Sequence, residues 1–293
     1  MAVAVTTRTR LAAYLALTKP RIIELLLVTT VPAMVVAQRG LPPVWLVLAT
    51  LIGGTLAAAG ANATNMVVDR DIDSLMKRTS RRPLVTGELS PRQALVFAIG
   101  LEVVAAVELW LVVNPLSAIL AVGATLFYVF VYSLWLKRTS TQNIVIGGAA
   151  GAVPVLIGWA AVTGSLGVAP FVLFAIIFVW TPPHFWALAI RYRDDYAAAQ
   201  VPMLPAVATL EVTARRIVAY TVALWAVSLA FAPLGRMGWI YLVSAIGLGG
   251  VFTYHALLLL RDASYRQAMR LFHYSISYIT LLFGAMAADQ LLK

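Results

Sequence analysis

Long apolar stretches alternate with short polar segments along the whole chain. Nine of these stretches approach the roughly 20 residues that a helix needs to cross a bilayer. They lie at about 22–38, 44–64, 94–113, 116–135, 143–162, 168–190, 214–233, 239–259 and 271–290. The pattern predicts an all-α, polytopic membrane protein with nine transmembrane helices, in which residues 1–293 form a single domain.

The composition agrees with a membrane setting. Hydrophobic residues make up 61% of the chain and charged residues only 12%, which is far from the usual soluble composition. The chain has no cysteine, and this excludes disulfides as well as thiolate ligands for a metal. Residues 1–20 are more polar than the first apolar stretch, and they lack the pattern of a cleavable signal peptide. We therefore expect them to form a cytoplasmic tail.

The basic residues predict the orientation of the chain in the membrane. If residues 1–20 are cytoplasmic and nine spans follow, 19 of the 22 lysines and arginines fall on the cytoplasmic side, as the positive-inside rule requires. The segments 66–92 and 191–213 then form cytoplasmic loops that cap the bundle, and Lys293 lies outside. We expect a multi-pass protein of the plasma membrane. Its net charge of +10 is spread over short loops, so it does not indicate nucleic-acid binding.

A polar stripe follows the second apolar stretch. Asn65, Asp69 and Asp73 are spaced four residues apart, so on a helix they share one face. Two carboxylates on one face repel each other unless a cation lies between them. One or two carboxylates, completed by water and phosphate oxygens, are the ligands that Mg²⁺ prefers. The stripe therefore predicts a Mg²⁺ site at the end of a membrane helix, with these three residues as catalytic residues.

Basic residues follow this stripe closely. Lys77, Arg78 and Arg82 lie in the same polar segment, and Lys137 and Arg138 lie in another short loop on the same predicted face. Guanidinium and ammonium groups bind phosphate oxygens strongly. We therefore expect these five residues to bind a diphosphate, although charges that only set the topology would also account for the pair at 137–138.

Other acids lie outside the stripe. Asp71 points away from it on a helix, and we expect a solvated residue paired with Arg70 or Lys77. Glu102 and Glu108 lie inside the third predicted span, where a buried acid is costly and is usually functional or paired. No motif includes these two glutamates, and hydrogen bonding between helices is the role we expect for them.

A second polar segment follows the sixth predicted span. It contains His184 directly after Pro182 and Pro183, and then the adjacent acids Asp194 and Asp195. The second and sixth spans end on the same side of the membrane, so the acids of both segments could share divalent ions and a bridging diphosphate. The two prolines predict a break in the helix, which membrane proteins tolerate where the backbone lines a cavity.

Six motifs between residues 17 and 278 resemble, in their order and residues, those of the UbiA superfamily of intramembrane prenyltransferases. They read Leu17-Thr-Lys-Pro-Arg-Ile-Ile-Glu24; Asn65-x3-Asp69-Arg-Asp-Ile-Asp73-x4-Arg78-Thr-x-x-Arg82-Pro-Leu; Trp135-Leu-Lys-Arg-Thr-x3-Asn143-Ile-Val-Ile-Gly-Gly; Thr181-Pro-Pro-His-Phe-Trp-Ala-Leu-Ala; Asp195-Tyr-x-x-Ala-x-x-Pro202-Met-Leu-Pro; and Phe272-His-Tyr-Ser-Ile-Ser-Tyr278. The acidic motif alone indicates only the superfamily. The fourth and fifth motifs are similar to the branch of the superfamily that farnesylates haem.

This resemblance implies a ring of nine helices around a central cavity that opens to the cytoplasm beneath the cap loops. It also implies an Mg²⁺-dependent enzyme that joins the farnesyl group of farnesyl diphosphate to the 2-vinyl group of haem b, adding water and releasing diphosphate. Lipid surrounds such a bundle, and a haem A synthase or a terminal oxidase is the assembly partner that its product implies.

The resemblance also implies roles for single residues. Asp195, which begins the Asp-Tyr motif, is expected to be catalytic and to bind the metal together with Asp69 and Asp73. His184 and His273 are expected to contact haem, through its iron or through a propionate. Aromatic side chains inside the bundle are expected to stabilise an allylic cation with their ring faces. The candidates are Phe127, Tyr128, Tyr132, Trp135 and Phe185.

The chain departs from the family pattern at two places, and two alternative functions stay open. Met66 follows Asn65 where many members have an aspartate, and Asp194-Asp195 stands where they commonly have Asp-x3-Asp. A related prenyltransferase that acts on a quinone precursor would share the metal site. A cation-coupled transporter is the alternative from another class, although its ionisable groups would be expected near the bilayer midplane. A lone membrane histidine is also often a packing residue, which is the role expected for His255.

Overall fold

The computed structural model describes residues 9–293, with only the backbone described for residues 21–27. The described residues form helices and loops, without β-strands. Eight segments among them are long and apolar enough to cross a membrane. They are Val44–Val68, Pro91–Val113, Pro115–Thr139, Asn143–Thr163, Val168–Arg191, Leu210–Leu234, Trp239–Arg261 and Tyr265–Leu291. The prediction of an all-α, polytopic membrane protein is confirmed.

The α-helices follow one another with short connections. In chain order they are α1 Arg10–Thr18, α2 Pro20–Gln38, α3 Val44–Val68, α4 Arg70–Leu75, α5 Pro83–Thr86, α6 Pro91–Glu108, α7 Pro115–Leu126, α8 Lys137–Thr139, α9 Asn143–Thr163, α10 Val168–Arg191, α11 Arg193–Ala198, α12 Leu204–Val207, α13 Leu210–Leu234, α14 Trp239–Arg261 and α15 Tyr265–Leu291. Two π-helical segments, Leu109–Val113 and Phe127–Leu136, continue α6 and α7.

The first of the nine predicted spans corresponds to α2. This helix has 19 residues, but only Val28–Gln38 is described with its side chains and was found apolar. The count of nine spans therefore stays a prediction. Residues 1–8, which include Arg8 of the predicted tail, lie outside the described residues.

The long helices form a ring in which each packs against its neighbours. The order around the ring is α3, α6, α7, α9, α10, α13, α14, α15 and α2, and α2 contacts α3 again. Large apolar side chains lie on the outer surface, where Leu111 is 76% exposed and Trp239 is 73% exposed. An apolar surface of this extent is unfavourable in water, so the outer face of the ring suits lipid.

The connections between spans are short, and two of them contain short helices. Asn114 caps α7, because its side chain accepts a hydrogen bond from Ser117 N at 2.8 Å, and Pro115 takes the first helical position. The cap segment 66–92 contains α4 and α5, and the cap segment 191–213 contains α11 and α12. These short helices hold the polar residues that follow the second and sixth predicted spans.

The predicted break at Pro182 and Pro183 is wrong. α10 runs without interruption from Val168 to Arg191 and includes both prolines. Membrane helices tolerate prolines where their surroundings and small local adjustments satisfy the freed carbonyl groups. The residues beyond the prolines therefore keep a regular helical phase.

The π-helical segment Phe127–Leu136 brings the end of the fourth predicted span to the acidic stripe. Inside it, Ser133 Oγ donates to the carbonyl of Tyr128, five residues earlier, at 2.9 Å. π-turns insert an extra residue into a helix and frequently lie at functional sites. Directly after this segment, α8 places Arg138 beside the end of α3, where its guanidinium donates to the Val68 carbonyl at 2.9 Å.

Candidate active site

A cavity of about 830 Å³ lies inside the ring of helices. Its walls come from α2, α3, α7, α9, α10 and α15, and from the π-helical segment after α7. Lys19, Asn65, Arg82 and Lys137 form its polar lining. Apolar and aromatic side chains line most of the rest. A polar end and a long apolar body suit an amphipathic ligand with a charged head group.

Asn65, Asp69 and Asp73 share one buried face. Backbone hydrogen bonds run from Asp69 N to the Asn65 carbonyl at 2.9 Å and from Asp73 N to the Asp69 carbonyl at 2.8 Å. The helical phase therefore continues from α3 into α4, although Asp69 lies at their junction. All three side chains are buried, and Asp69 is completely buried. Carboxylates in such a place need charged or hydrogen-bonding partners.

Each buried carboxylate is paired with one of the predicted diphosphate-binding bases. Lys137 Nζ donates to Asp69 Oδ2. Arg82 Nη1 donates to Asp73 Oδ2 at 2.5 Å. Asn65 Nδ2 adds a hydrogen bond of 2.7 Å to Asp69 Oδ2. These bases offset the repulsion between the two acids, and their ammonium and guanidinium groups lie where a phosphate could reach them.

Lys19 is a site residue that the sequence reasoning did not assign. It lies between α1 and α2, and its Nζ donates to Asn65 Oδ1 at 2.9 Å. Burial lowers the pKa of Lys19 to about 7, and the neighbouring positive charges of Arg82 and Lys137 act in the same direction. A phosphate group would offset this concentration of positive charge. The Leu17-Thr-Lys-Pro motif is the signal that could have pointed to this residue.

Asp71 pairs with Arg138, so the expected pairing with Arg70 or Lys77 is wrong. The Arg138 guanidinium donates to both carboxylate oxygens of Asp71, at 2.6 and 2.8 Å. This bidentate bond lowers the pKa of Asp71 to about 2. Asp71 is exposed, as expected, and Arg138 is not among the residues that line the cavity. The pair therefore connects α8 to α4 at the rim of the site.

The two cap segments meet at Arg78. Its backbone N–H donates to Asp195 Oδ2 at 3.4 Å, and its guanidinium donates to the Tyr196 hydroxyl at 2.8 Å. The same guanidinium lies over the rings of Tyr192 and Tyr196, 5.1 and 4.9 Å from their centroids. Burial raises the pKa of Tyr196, so its hydroxyl stays protonated. Of the two adjacent acids, Asp195 is half-buried against the first cap segment, whereas Asp194 is exposed.

The oxygen donors of the stripe fit Mg²⁺. Asp69 Oδ1 is buried and has no hydrogen-bond partner among the described residues. The described part of the chain contains no group of three or more acids and histidines that could enclose a metal ion. Mg²⁺ does not need such a group, because it keeps several waters and binds one or two carboxylates plus substrate phosphates. Asp69 Oδ1 therefore offers a cation an oxygen that accepts no hydrogen bond, although Arg138 Nη2 lies 3.9 Å from it. Asp73 and Asp195 follow on α4 and α11, and none of the three acids is among the residues that line the cavity.

The three histidines lie in different environments. His184 is buried and lines the cavity. His273 is exposed and is not among the cavity-lining residues, so the structure does not bring this predicted haem contact to the site. His255 is half-buried against the rings of Tyr254 and Tyr274, away from the cavity lining. That environment is typical of a packing residue.

Three of the five aromatic candidates line the cavity. Tyr128, Tyr132 and Phe185 do so, whereas Phe127 and Trp135 are not among the lining residues. Three aromatic rings that were not among these candidates also line the cavity; they belong to Trp180, Tyr196 and Phe272.

Three further charged residues take no part in the cavity lining. Lys77 is exposed. Glu102 accepts a hydrogen bond from Thr125 Oγ1 at 3.1 Å and so connects two spans. Glu108 lies so close against Gly53 that a Cβ added to this glycine would overlap with its Oε2. The hydrogen bond expected between helices is therefore present for Glu102, whereas Glu108 Oε2 is buried without a hydrogen-bond partner among the described residues.

The ring of helices and its polar-ended cavity define an intramembrane prenyltransferase, and the chain belongs to the UbiA prenyltransferase family, whose model matches residues 26–282. Protoheme IX farnesyltransferase from Parafrankia sp. (strain EAN1pec) is 57% identical to the chain over 286 residues, which cover 97% of this chain and 91% of that relative. The protein of the same name from Streptomyces coelicolor is 52% identical over 290 residues, which cover 97% of this chain and 92% of that relative.

Solved structures share the fold. A structure of digeranylgeranylglyceryl phosphate synthase has a TM-score of 0.79 at 18% identity and covers 97% of this chain and 99% of its own. A UbiA homologue from Archaeoglobus fulgidus bound to GPP and Mg²⁺ has a TM-score of 0.67 at 16% identity. The match covers 94% of this chain and 99% of that homologue. The predicted UbiA-type fold is thereby confirmed. Membership of a prenyltransferase family decides against a cation-coupled transporter.

Proposed function

We propose that the protein transfers the farnesyl group of farnesyl diphosphate to the 2-vinyl group of haem b, adding water and releasing diphosphate. The observation that carries this proposal is the similarity, over nearly the whole chain, to relatives named protoheme IX farnesyltransferase. The cavity supports it, because its polar end suits a diphosphate and its apolar body suits a hydrocarbon tail and a porphyrin.

The polar end of the cavity would bind the diphosphate. Lys19, Arg78, Arg82 and Lys137 all line the cavity. As the bond between C1 of the farnesyl group and oxygen breaks, negative charge grows on the leaving diphosphate, and these four cations would offset it.

The acids at this end would hold the metal. We propose Asp69 and Asp73 from the first cap segment and Asp195 from the second as ligands of Mg²⁺, and no single ion would need all three because the two segments could share divalent ions across the diphosphate. The metal would supply Lewis-acid stabilisation of the diphosphate oxygens when it is bound. Asn65 would act through Asp69, because its amide donates a hydrogen bond of 2.7 Å to one carboxylate oxygen and the other oxygen accepts no hydrogen bond. Lys77 is proposed as an outer diphosphate contact, and Arg138 would act through Asp71 at the rim.

The apolar body of the cavity would protect the reacting carbon atoms. The rings of Tyr128, Tyr132 and Phe185 line it, and ring faces stabilise a nearby cation. Because these walls exclude bulk water, the allylic cation would persist until the vinyl group attacks C1 and forms the new carbon–carbon bond. A water molecule would then add its hydroxyl to the vinyl-derived cation and release a proton.

The haem would lie deeper in the cavity than the diphosphate. His184 lines that part of the cavity and is the proposed haem contact, through the iron or a propionate. His273 is also a proposed haem contact, although its side chain is exposed on α15 and is not among the residues that line the cavity.

The cap segments 66–92 and 191–213 would face the cytoplasm of a cell whose plasma membrane holds the bundle, with the N-terminus inside and Lys293 outside. The product is a haem with a long hydrocarbon chain, which would stay in the membrane. A haem A synthase or a terminal oxidase is therefore the proposed receiving partner.

One assay tests the proposed activity. Membranes that contain the protein are incubated with haem b, farnesyl diphosphate and Mg²⁺, and the extracted haem is analysed by mass. We expect a farnesylated, hydrated haem that disappears when the metal is chelated. A quinone precursor replaces haem in a parallel reaction. Prenylation of the quinone precursor without any farnesylated haem would overturn the proposal in favour of the alternative prenyltransferase.

A further inference from the structure

His184 is held in one orientation by residues of α10 and α15. Its ring stacks on Trp180, with centroids 4.2 Å apart, and lies 4.8 Å from the ring of Phe272. Its Nδ1 lies 2.7 Å from Ser275 Oγ. The indole N–H of Trp180 donates to the Ser275 carbonyl at 2.8 Å, so the same serine also fixes the stacking partner. A histidine that only fills space in the core would not need this combination of ring stacking and hydrogen bonds.

The hydrogen bonds of Ser275 determine which nitrogen of His184 carries the proton. A serine hydroxyl has one hydrogen to donate. Ser275 Oγ donates it to the Phe272 carbonyl at 2.6 Å. The hydroxyl must therefore accept in its contact with His184, and Nδ1 must be the donor. In a neutral imidazole the other nitrogen, Nε2, then carries a lone pair.

The lone pair on Nε2 is available to the cavity. Nε2 has no hydrogen-bond partner among the described residues, and the atom is not fully buried. A doubly protonated ring is disfavoured here, because it would place a charge between aromatic rings without an acid beside it. A neutral Nε2 accepts or ligates, and it cannot donate to a haem propionate.

We infer that His184 Nε2 is the axial ligand of the haem iron and that Ser275 is the residue that positions it. The inference rests on the proposed function, because that function supplies haem as the substrate. Histidines that bind metals almost always donate their second ring N–H to a neighbouring acceptor, which fixes the tautomer and the orientation of the ring. The chain from His184 through the Ser275 hydroxyl to the Phe272 carbonyl is such an arrangement. Ligation would hold the porphyrin by its centre and leave its vinyl edge free to meet the farnesyl group.

The test is spectroscopic and uses the full-length protein in lipid nanodiscs titrated with ferric and ferrous haem b. The wild type should show the absorption and resonance Raman signature of a haem with an imidazole ligand. His184→Gly should lose this signature, and added imidazole should restore it by entering the vacated space. His255→Gly is the matched control that should keep the wild-type spectrum, because this histidine packs away from the cavity lining. A His184→Gly protein with an unchanged spectrum would overturn the inference.

Two further variants separate ligation from simple packing. His184→Met keeps the volume and should change the spectrum to that of a thioether-ligated haem. If His184→Gly does not fold, the His184→Met spectrum tests the ligation instead. Ser275→Ala should weaken haem binding by about tenfold and lower the iron–nitrogen stretching frequency, whereas Ser275→Thr should restore both. Wild-type spectra without an imidazole ligand, or Ser275→Ala spectra identical to wild type, would contradict the assignment.

Product analysis in the same samples keeps the two proposals apart. If farnesylated haem forms but the spectrum does not depend on His184, only the ligation fails. If haem binds through His184 but no product forms with farnesyl diphosphate and Mg²⁺, the proposed activity fails and the ligation stands.

Discussion

Lys137 Nζ donates a hydrogen bond to Asp69 Oδ2, joining two segments that lie 68 residues apart. The carboxylate is completely buried, and the lysine lines the cavity. The pair thus places a negative charge suited to a metal and a positive charge suited to a phosphate side by side. Substitutions around this pair should distinguish the charges that act in the reaction from those that only hold the cap segments.

Asp69→Ala or Asp73→Ala should each lower turnover at least ~100-fold, because each removes a strong electrostatic contact in a site that excludes water. Asp71→Ala is the matched control, since Asp71 is exposed and bonded to Arg138 at the rim. It should have a milder effect. The measurement is the rate of diphosphate release at saturating substrates. Equal damage at position 71, or near-normal rates at 69 and 73, would contradict the metal assignment.

Lys19→Met should raise the KM for farnesyl diphosphate by about 10- to 100-fold, since a hydrogen bond to a charged group contributes about 1.5–3 kcal/mol. The fold should be retained, because the change relieves repulsion with Arg82 and Lys137. Lys77→Met removes the same charge from the exposed outer contact and should raise KM much less than Lys19→Met does. Steady-state kinetics and thermal melting of both variants provide the check. A larger effect at Lys77 would mean that the diphosphate binds outside the cavity.

Gly147→Ala should reduce both activity and stability. A Cβ there would overlap with Tyr132 Cδ2, so the ring would have to leave its position in the cavity wall. Overpacking of this kind costs about 1–3 kcal/mol. Gly123→Ala is the control, because nothing lies within 4 Å of its added Cβ. The melting temperature and turnover of the two variants are compared. Equal values for both would show that the Tyr132 ring is not needed where it lies.

Reporter fusions should place the segments 66–92 and 191–213 in the cytoplasm and Lys293 outside. The reason is that 19 of 22 bases fall on one side when nine spans alternate. Fusions after positions 80, 200 and 293, assayed in intact cells, give the measurement. A cytoplasmic C-terminus would mean an even number of spans, and it would remove α2 or another helix from the set that crosses the membrane.

The positions of the helices could be predicted from hydropathy because a bilayer requires long apolar stretches, and eight of the predicted spans match described helices. The stripe of Asn65, Asp69 and Asp73 could also be predicted, since it depends only on local helical spacing, and the backbone bonds from α3 into α4 preserve that spacing. Local periodicity was therefore sufficient to predict both the helical bundle and the helix face that carries its acids.

Contacts between distant segments could not be predicted in this way. Asp71 pairs with Arg138, which is 67 residues away, and not with a neighbour in its own segment. Lys19 enters the site only because α1 and α2 meet beside Asn65. The break expected at Pro182 did not occur, because the apolar setting of α10 lets the helix continue past a missing donor.

The geometry of the site depends on the number of residues in the π-helical segment Phe127–Leu136 as much as on their side chains. Removing or adding one residue there would rotate everything beyond by about 100°. Lys137 would swing away from Asp69, while the hydropathy of the span would hardly change. Exchanges of one apolar residue for another in this stretch can thus be silent, whereas a single-codon deletion would inactivate an otherwise well-inserted protein.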